Sequence, residues 1–421
     1  MQQYDIISLI QGELWDRLTK MILVKRFAEI HPVKGKATTL VGMRRVGKTY
    51  TLLNKIKNLE KQFPRESILY LNLEDDRLGL TKYEDLTKII DLFYRNTPAN
   101  YKRPSYIFLD EVQVIAGWEK VARRLVETDR CELWLTGSSA KMLSKDVATQ
   151  FRGRSMVYEV WPYDYFEYLE ASHIAWTDPS VSFANRDLAR EQLEHYLMSG
   201  GFPETVNASS ETRMRILQDY RNAVVLRDVV ERYQIKNLVA MEQLVSSLVI
   251  NSGRLFSVNK FTNDLKSRGV PVGKDTIIEY LSYFEDAFFA FSVPIYQVSQ
   301  RVQSTSPKKV FCVDSGMSSA YSLRPKADLG RLFENLVFVD LKRQGYRTFY
   351  YITKDGAEVD FVVVGHSGQP FIVQVCFDDS APQTSQREQT ALDKAMQELQ
   401  CGGILVTPRI YTQSREWIPK L

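Results

Sequence analysis

The strongest chemical signal in the chain is Gly42-Met43-Arg44-Arg45-Val46-Gly47-Lys48-Thr49, with Tyr50 following it. Its G-x-x-x-x-G-K-[ST] spacing suits a phosphate group, provided that a strand precedes it and a helix follows. Gly42 and Gly47 let the backbone curl so that its N–H groups face a β-phosphate, and the helix N-terminus adds a favourable dipole. Lys48 would reach the β- and γ-oxygens, and the Thr49 hydroxyl would ligate Mg²⁺. Arg44, Arg45, Val46 and Tyr50 complete the expected ATP-binding loop. For the two arginines a salt bridge or a packing role stands beside phosphate contact.

The second half of such a site is Tyr106-Ile107-Phe108-Leu109-Asp110-Glu111. Four apolar residues bury a strand, and two carboxylates stand at its C-terminal end, where open α/β sheets bind ligands. Asp110 would hold Mg²⁺ through water, and Glu111 would act as general base on the attacking water. A third segment, Glu132–Ser139, is expected as a strand between the Asp-Glu strand and the far edge of the sheet. At its polar end Thr136 or Ser138 would bond the attacking water or the γ-phosphate. Ser138 or Ser139 equally suits the N-cap of a helix over 140–150.

These residues need a frame. Ala37–Val41, Ile68–Leu73, Tyr106–Leu109, Glu132–Thr136 and Met156–Val160 read as strands. Thr49–Phe63 and Tyr83–Asn96 read as helices with an apolar side. Apolar strands alternating with helices predict a parallel sheet covered on both faces. Helical periodicity dominates from about 166 to 233, broken by Gly-Gly-Phe-Pro at 200–203. From about 307 a helix over 331–344 precedes strands over 348–352, 359–364 and 371–375.

The 421 residues suggest two to four domains. Hydrophobic residues make up 44% and charged residues 25%, which is ordinary globular composition. With 55 Lys and Arg against 51 Asp and Glu, the charge balance neither requires nor excludes nucleic acid. The N-terminus lacks a signal-peptide pattern, and no apolar run is long enough to span a membrane. Cys131, Cys312, Cys376 and Cys401 stand far from CxxC spacing, so they read as cysteines of a reducing cytoplasm rather than as a metal or redox site.

Taken in order, GMRRVGKT, YIFLDEVQ, LWLTGSS, FRGR at 151–154, GGFPE at 200–204, LRDVVERY at 226–233, YLSYFEDAFF at 280–289 and GRLFENLVFVDL followed by GAEVDF resemble the prokaryotic AAA+-type ATPases that carry a C-terminal domain of unknown function. The likeness covers nearly the whole chain. It implies an α/β P-loop core of the additional-strand type over 1–165 and a helical lid over 166–235. A winged-helix-like segment over 236–300 and an α/β domain similar to PD-(D/E)xK nucleases over 301–421 would follow. It also implies that Pro203, in Gly201-Phe202-Pro203, touches the nucleotide base, where a helix-breaking turn is the alternative. Arg152 and Arg154 stand where such proteins place an arginine finger, which implies a homo-oligomeric ring.

The stretch 253–274 sets Arg254, Lys260, Lys266, Arg268 and Lys274 against one acid, Asp264, in helix-turn-helix grammar. Lys260, Lys266, Arg268 and Lys274 are therefore candidate DNA phosphate contacts, with a solvated protein-binding face as the alternative. In the C-terminal domain Glu334 and Asp360 suit a nuclease site. The expected Glu-x-Lys, however, reads Gln374-Val375-Cys376, and cleavage is expected to be lost. The resulting expectation is an oligomeric Mg²⁺-dependent ATPase acting on DNA or a nucleoprotein. A slow nucleotide-dependent switch and an ATPase-coupled nuclease are the alternatives.

Overall fold

The computed structural model describes residues 3–26, 30–101, 103–128, 131–137, 151, 153–178, 180, 182–379 and 382–419. The chain divides into two compact units, 1–161 and 162–421.

In the first unit, helix α1 (Gln3–Lys20) is followed by β1 (Ala37–Val41), α2 (Lys48–Leu59), β2 (Ile68–Asn72), α3 (Tyr83–Asn96), β3 (Ser105–Asp110), α4 (Trp118–Glu127), β4 (Cys131–Thr136) and β5 (Ser155–Glu159). The five strands form one parallel sheet in the order β2-β3-β4-β1-β5. β1 and β3 are buried at every residue, Thr38 and Thr39 of β1 included, as expected for central strands of a parallel sheet covered by helices. The expected core strands are present, and β4 lies between the Asp-Glu strand and the far edge at β5, as expected. The strand that leads into the glycine-rich loop, β1, is its other neighbour. Apolar content sets strand identity; strand order is a matter of how the crossovers pack, which one segment cannot encode.

β2 is an edge strand, and α1 covers it. The Gln11 side chain donates to Tyr70 O at 2.6 Å and accepts from Tyr70 N at 3.3 Å. An amide side chain thus satisfies backbone groups that an exposed edge would leave unpaired.

The second unit begins with helices α5 (Tyr165–Ala171), α6 (Phe183–Ser199) and α7 (Ser210–Ala223), the last continued by a π-helical stretch over Val224–Glu231. The expected apolar stripe of α6, Ala189, Leu193, Tyr196 and Leu197, is buried. Next come α8 (Leu238–Ile250), β6 (Arg254–Phe256), α9 (Val258–Ser267), α10 (Lys274–Asp286), β7 (Ala290–Val293) and β8 (Lys308–Cys312). β8 pairs antiparallel with both β6 and β7. The expected division between 300 and 301 therefore falls inside a three-stranded sheet, because β8 closes it from beyond that point.

The chain ends with α11 (Ser315–Ser319), α12 (Leu329–Arg343), β9 (Arg347–Ile352), β10 (Glu358–Val364), β11 (Pro370–Val375), α13 (Pro382–Leu399), β12 (Gly403–Val406) and a short helix over Pro408–Gln413. The sheet order is β12-β11-β10-β9, antiparallel except for the β11–β12 pair. Helix α13 escaped the periodicity reading because its buried stripe is narrow: Ala391, Leu392 and Ala395. Phe311 on β8 stacks on Phe338 of α12, with centroids 4.4 Å apart, and stands 5.4 Å from the ring of Phe361 on β10, which joins the two sheets of this unit.

Candidate nucleotide site

β1 delivers the chain to Gly42, and α2 begins at Lys48. Gly42 has φ +149°, and a Cβ there would sit 2.1 Å from Val160 O. Close packing against the segment after β5 thus demands glycine, beside any need of a phosphate. Gly47 caps α2 with φ 99°, in the left-handed region that glycine occupies without cost. Arg45 also has positive φ, at 68°. The loop is pinned from below by Arg26, which donates to Val46 O at 3.1 Å and to Trp161 O at 2.6 Å. Val46 itself is fully buried. The Lys48 ammonium is buried inside the loop, donating to Gly42 O at 3.0 Å and Met43 O at 3.1 Å. Arg44 is half-buried and Arg45 exposed. Tyr50 is 51% exposed, with the Arg17 guanidinium 5.6 Å from its ring centre.

Asp110 ends β3 and is buried, and three hydroxyls converge on it. Tyr70 of β2 donates to Oδ2 at 3.0 Å, Thr136 of β4 donates to Oδ1, and Thr49 of α2 supplies the third bond. Register explains the convergence. Asn72 pairs with Asp110, so Tyr70 stands two residues back on the same face, while Leu109 pairs with Leu135, one residue before Thr136. Burial pushes the Asp110 carboxyl up, and the hydroxyl donors oppose that rise. The Tyr70 phenol is itself pushed up by burial and by the Asp110 charge, so it remains a donor.

Glu111 leaves the strand with φ 57°, a left-handed conformation that costs a non-glycine residue on the order of 1–3 kcal/mol and clusters at functional sites. This turn separates the two carboxylates. Asp110 is buried in the sheet, while Glu111 is half-buried and accepts from Gln113 Nε2 at 2.5 Å. The Glu111 N–H donates to Thr136 Oγ1 at 3.0 Å. The Thr136 hydroxyl therefore lies between both acids, its proton directed at Asp110. In this arrangement it bonds the Asp110 carboxylate and the Glu111 backbone at once.

Thr49 with Asp110 offers the hard oxygen donors that Mg²⁺ prefers, so the residues fit that ion. Tyr70 and Gln113 are partners that the sequence reading missed. A Tyr two residues before the end of the neighbouring strand was the available signal for the first. Ser138 and Arg152, and the helix expected over 140–150, lie outside the described residues.

Arg154 precedes β5, and its carbonyl accepts from Ala37 N, at the start of β1. It thus stands at the opposite end of the sheet from Gly42. Its guanidinium, 43% exposed, pairs with Glu127 at 2.9 Å. Exposed pairs of this kind are worth little, about 0–1 kcal/mol, so the pairing leaves the arginine available to another partner.

Pro203 belongs to the second unit, where it opens a single turn of 3-10 helix over Pro203–Thr205. The two glycines before it have a packing reason. Gly201 N donates to Asp314 Oδ2 at 2.7 Å, a Cβ on Gly200 would lie 2.0 Å from Asp314 Oδ1, and one on Gly201 2.1 Å from Tyr163 O. Lys260, Lys266, Arg268 and Lys274 are all exposed. Arg268 pairs with Asp264 at 2.9 Å, and Lys274 is the first residue of α10.

In the C-terminal domain the structure brings Glu334 of α12 and Asp360 of β10 together, with two residues that sequence reading did not single out. Lys309 of β8 contacts Glu334 at 2.9 Å, Glu358 at 2.7 Å and Asp360 at 3.0 Å. The available signal was a lysine, the second of two that open the strand KKVFC, set directly before its apolar residues. Gln374 is engaged at both ends: Oε1 accepts from Asp360 N at 3.1 Å, and Nε2 donates to Glu388 at 2.7 Å. Cys376 is buried, and its thiol is pushed up to about 11 by burial. A nuclease metal ion does not fit these residues, because an ammonium fills the space among the acids and Gln374 is spent on holding Asp360 and Glu388.

A family model described as an AAA domain matches residues 34–169, and models described as domains of unknown function match 190–328 (DUF8612) and 329–417 (DUF4143). An uncharacterized protein of Methanocaldococcus jannaschii, MJ1544, is 30% identical over 406 residues, which is 96% of this chain and 88% of the relative. An uncharacterized protein of Haemophilus influenzae is 29% identical over 339 residues, covering 80% of this chain and 81% of its own. Among solved structures, the Walker-type ATPase of Pyrococcus abyssi aligns over 74% of this chain and 94% of its own, at 12% identity and a TM-score of 0.43. No helix among the described residues is long and apolar enough to cross a membrane. With its glycine-rich loop, its paired carboxylates and a relative matched along nearly its whole length, the chain belongs to the family of AAA-type P-loop ATPases that carry a C-terminal DUF4143 domain.

Proposed function

We propose that the chain hydrolyses ATP with Mg²⁺ and works as a homo-oligomer on DNA or a nucleoprotein partner. The observation that carries the ATPase reading is the convergence of Thr49, Tyr70 and Thr136 on buried Asp110, with Glu111 turned out of the strand beside it. Backbone N–H groups from Gly42 to Thr49 and the Lys48 ammonium would bind the phosphates. Thr49 and Asp110 would hold Mg²⁺, whose charge offsets that of the phosphates when bound. Glu111 would take the proton of the attacking water. Pro203, in the lid, would touch the base. The test is the steady-state ATPase rate with and without linear and branched duplex DNA. A rate that rises with DNA supports the proposal.

Gln113 favours a second reading. Its amide holds Glu111 at 2.5 Å, and a general base so held suits a slow regulatory switch. Slow turnover indifferent to DNA, and faster in Gln113→Ala, would favour that switch.

DNA contact would run through α9 and α10, which with β6, β7 and β8 resemble a winged helix. Binding is expected to weaken steeply with salt. Each phosphate contact removed by alanine at Lys260, Lys266, Arg268 or Lys274 should lower the log–log salt slope by about 0.9 on duplex DNA. Titrations at several salt concentrations measure it, and a quadruple variant with unchanged affinity and slope would place the contact elsewhere.

The C-terminal domain, proposed to share the PD-(D/E)xK nuclease fold, is expected not to cut DNA. Gln374 and Cys376 stand where Glu and Lys are needed. Plasmid incubated with the protein and Mg²⁺ or Mn²⁺ should stay intact; cleavage that disappears in Asp360→Ala would contradict this.

A further inference from the structure

Lys309 is 1% exposed, on a strand whose other inward residues are apolar. A buried ammonium has three donors and no acceptor. Here each of three carboxylates takes one position around it: Glu334 from α12, and Glu358 and Asp360 from β10, at 2.7–3.0 Å. Burial alone would pull the ammonium down, but the three acids more than reverse this and hold it well above its usual range. The acids are crowded in turn, and burial raises Glu334 against the pull of Lys309. Glu358 and Asp360 also line a cavity of about 660 Å³, together with Gln374, Arg387, Glu388 and Lys394, so solvent and ions have a route to the cluster. Among the described residues no group of acids, histidines or cysteines is set out to hold a metal ion.

We propose that the Lys309 ammonium is the resident cation of this cleft, standing in for a divalent ion among Glu334, Glu358 and Asp360, and that removing it turns the same carboxylates into a calcium site. The physical case is one of charge and size. The largely buried carboxylates of Glu334 and Asp360 need a cation, because an uncompensated buried charge costs several kcal/mol, and the half-exposed Glu358 adds a third oxygen donor. The oxygens already stand at 2.7–3.0 Å from one point. Ca²⁺ binds oxygen at about 2.3–2.6 Å with flexible geometry, whereas Mg²⁺ demands about 2.0–2.1 Å and an octahedron. Calcium thus needs the smaller contraction, and water from the cavity can complete its shell.

The experiment uses the full chain, free of nucleotide, titrated with CaCl₂ by calorimetry and followed by thermal melting. Wild type should take up no Ca²⁺ that depends on Asp360. Lys309→Ala should melt lower, gain one Ca²⁺ per chain, and recover most of its melting temperature in Ca²⁺ but not in equal MgCl₂. Lys309→Ala with Asp360→Asn should lose that gain. Wild-type uptake abolished by Asp360→Asn would overturn the proposal, since the site would then already hold metal. Folded Lys309→Ala that binds no Ca²⁺ would overturn it equally. If Lys309→Ala does not fold on expression, refolding from denaturant replaces the titration. Recovery that requires Ca²⁺ supports the proposal, and recovery in neither condition, or equally in both, counts against it.

Discussion

Glu111→Gln should bind ATP as tightly as wild type and turn over on the order of 10²–10⁴-fold more slowly, the usual loss when a positioned general base is removed. Lys48→Ala should fail to bind nucleotide at all. The two residues act at different stages. Lys48 sits within the loop, bonded to the carbonyls of Gly42 and Met43, and would contact phosphates in the ground state. Glu111 is turned away from the sheet, with its backbone fixed by Thr136, and would act only as the reaction proceeds. An interaction made only in the transition state changes rate without changing affinity. Equilibrium binding of a fluorescent ATP analogue and single-turnover hydrolysis separate the effects. Glu111→Gln at wild-type speed would remove it from the role of base. Because Lys48 also supports two loop carbonyls, circular dichroism of Lys48→Ala should accompany the binding assay.

At least one of Arg152→Ala and Arg154→Ala is expected to bind ATP normally and hydrolyse it poorly, by roughly 10³–10⁵-fold if the lost guanidinium acts as an arginine finger. Arg154 stands just before its strand, beside Ala37, while the phosphate loop begins beyond Val41 at the other end of that neighbouring strand. The five residues between them span about 17 Å at the usual strand rise. Arg154 is thus poorly placed for its own γ-phosphate and suited to that of a neighbour packed head-to-tail, a contact that closes into a ring when repeated. Its pairing with Glu127 supports the competing role of a local brace. Mixing distinguishes the two. An inactive arginine variant contributes a sound phosphate loop, and Lys48→Ala contributes a sound finger. Partial recovery of activity on mixing indicates action between subunits. Demonstrated co-assembly without recovery indicates the brace, and Glu127→Ala should then reproduce the arginine defect.

The sequence by itself determined the elements and the chemistry of the phosphate loop. Ala37–Val41 reads as a strand, glycine is needed at 42 and 47, and Lys48-Thr49 opens a helix; these are local facts of composition and spacing. Asp110 and Glu111 were legible for the same reason, as charges at the end of an apolar strand. What those acids touch was decided by tertiary structure. Tyr70 and Thr136 meet Asp110 only because β2 and β4 flank β3 in a particular register, and strand order is not written in any one strand. The same holds for the C-terminal domain. Gln374 and Cys376 were legible as the residues standing where a nuclease pair was expected. That Lys309, separated in sequence from Glu334 and farther still from Asp360, lies among these acids depended on β8, the central strand of its three-stranded sheet, turning one face to α12 and β10. A buried lysine in an apolar strand announces that acids must surround it, since its charge cannot be left unpaired; only the packed chain says which acids they are.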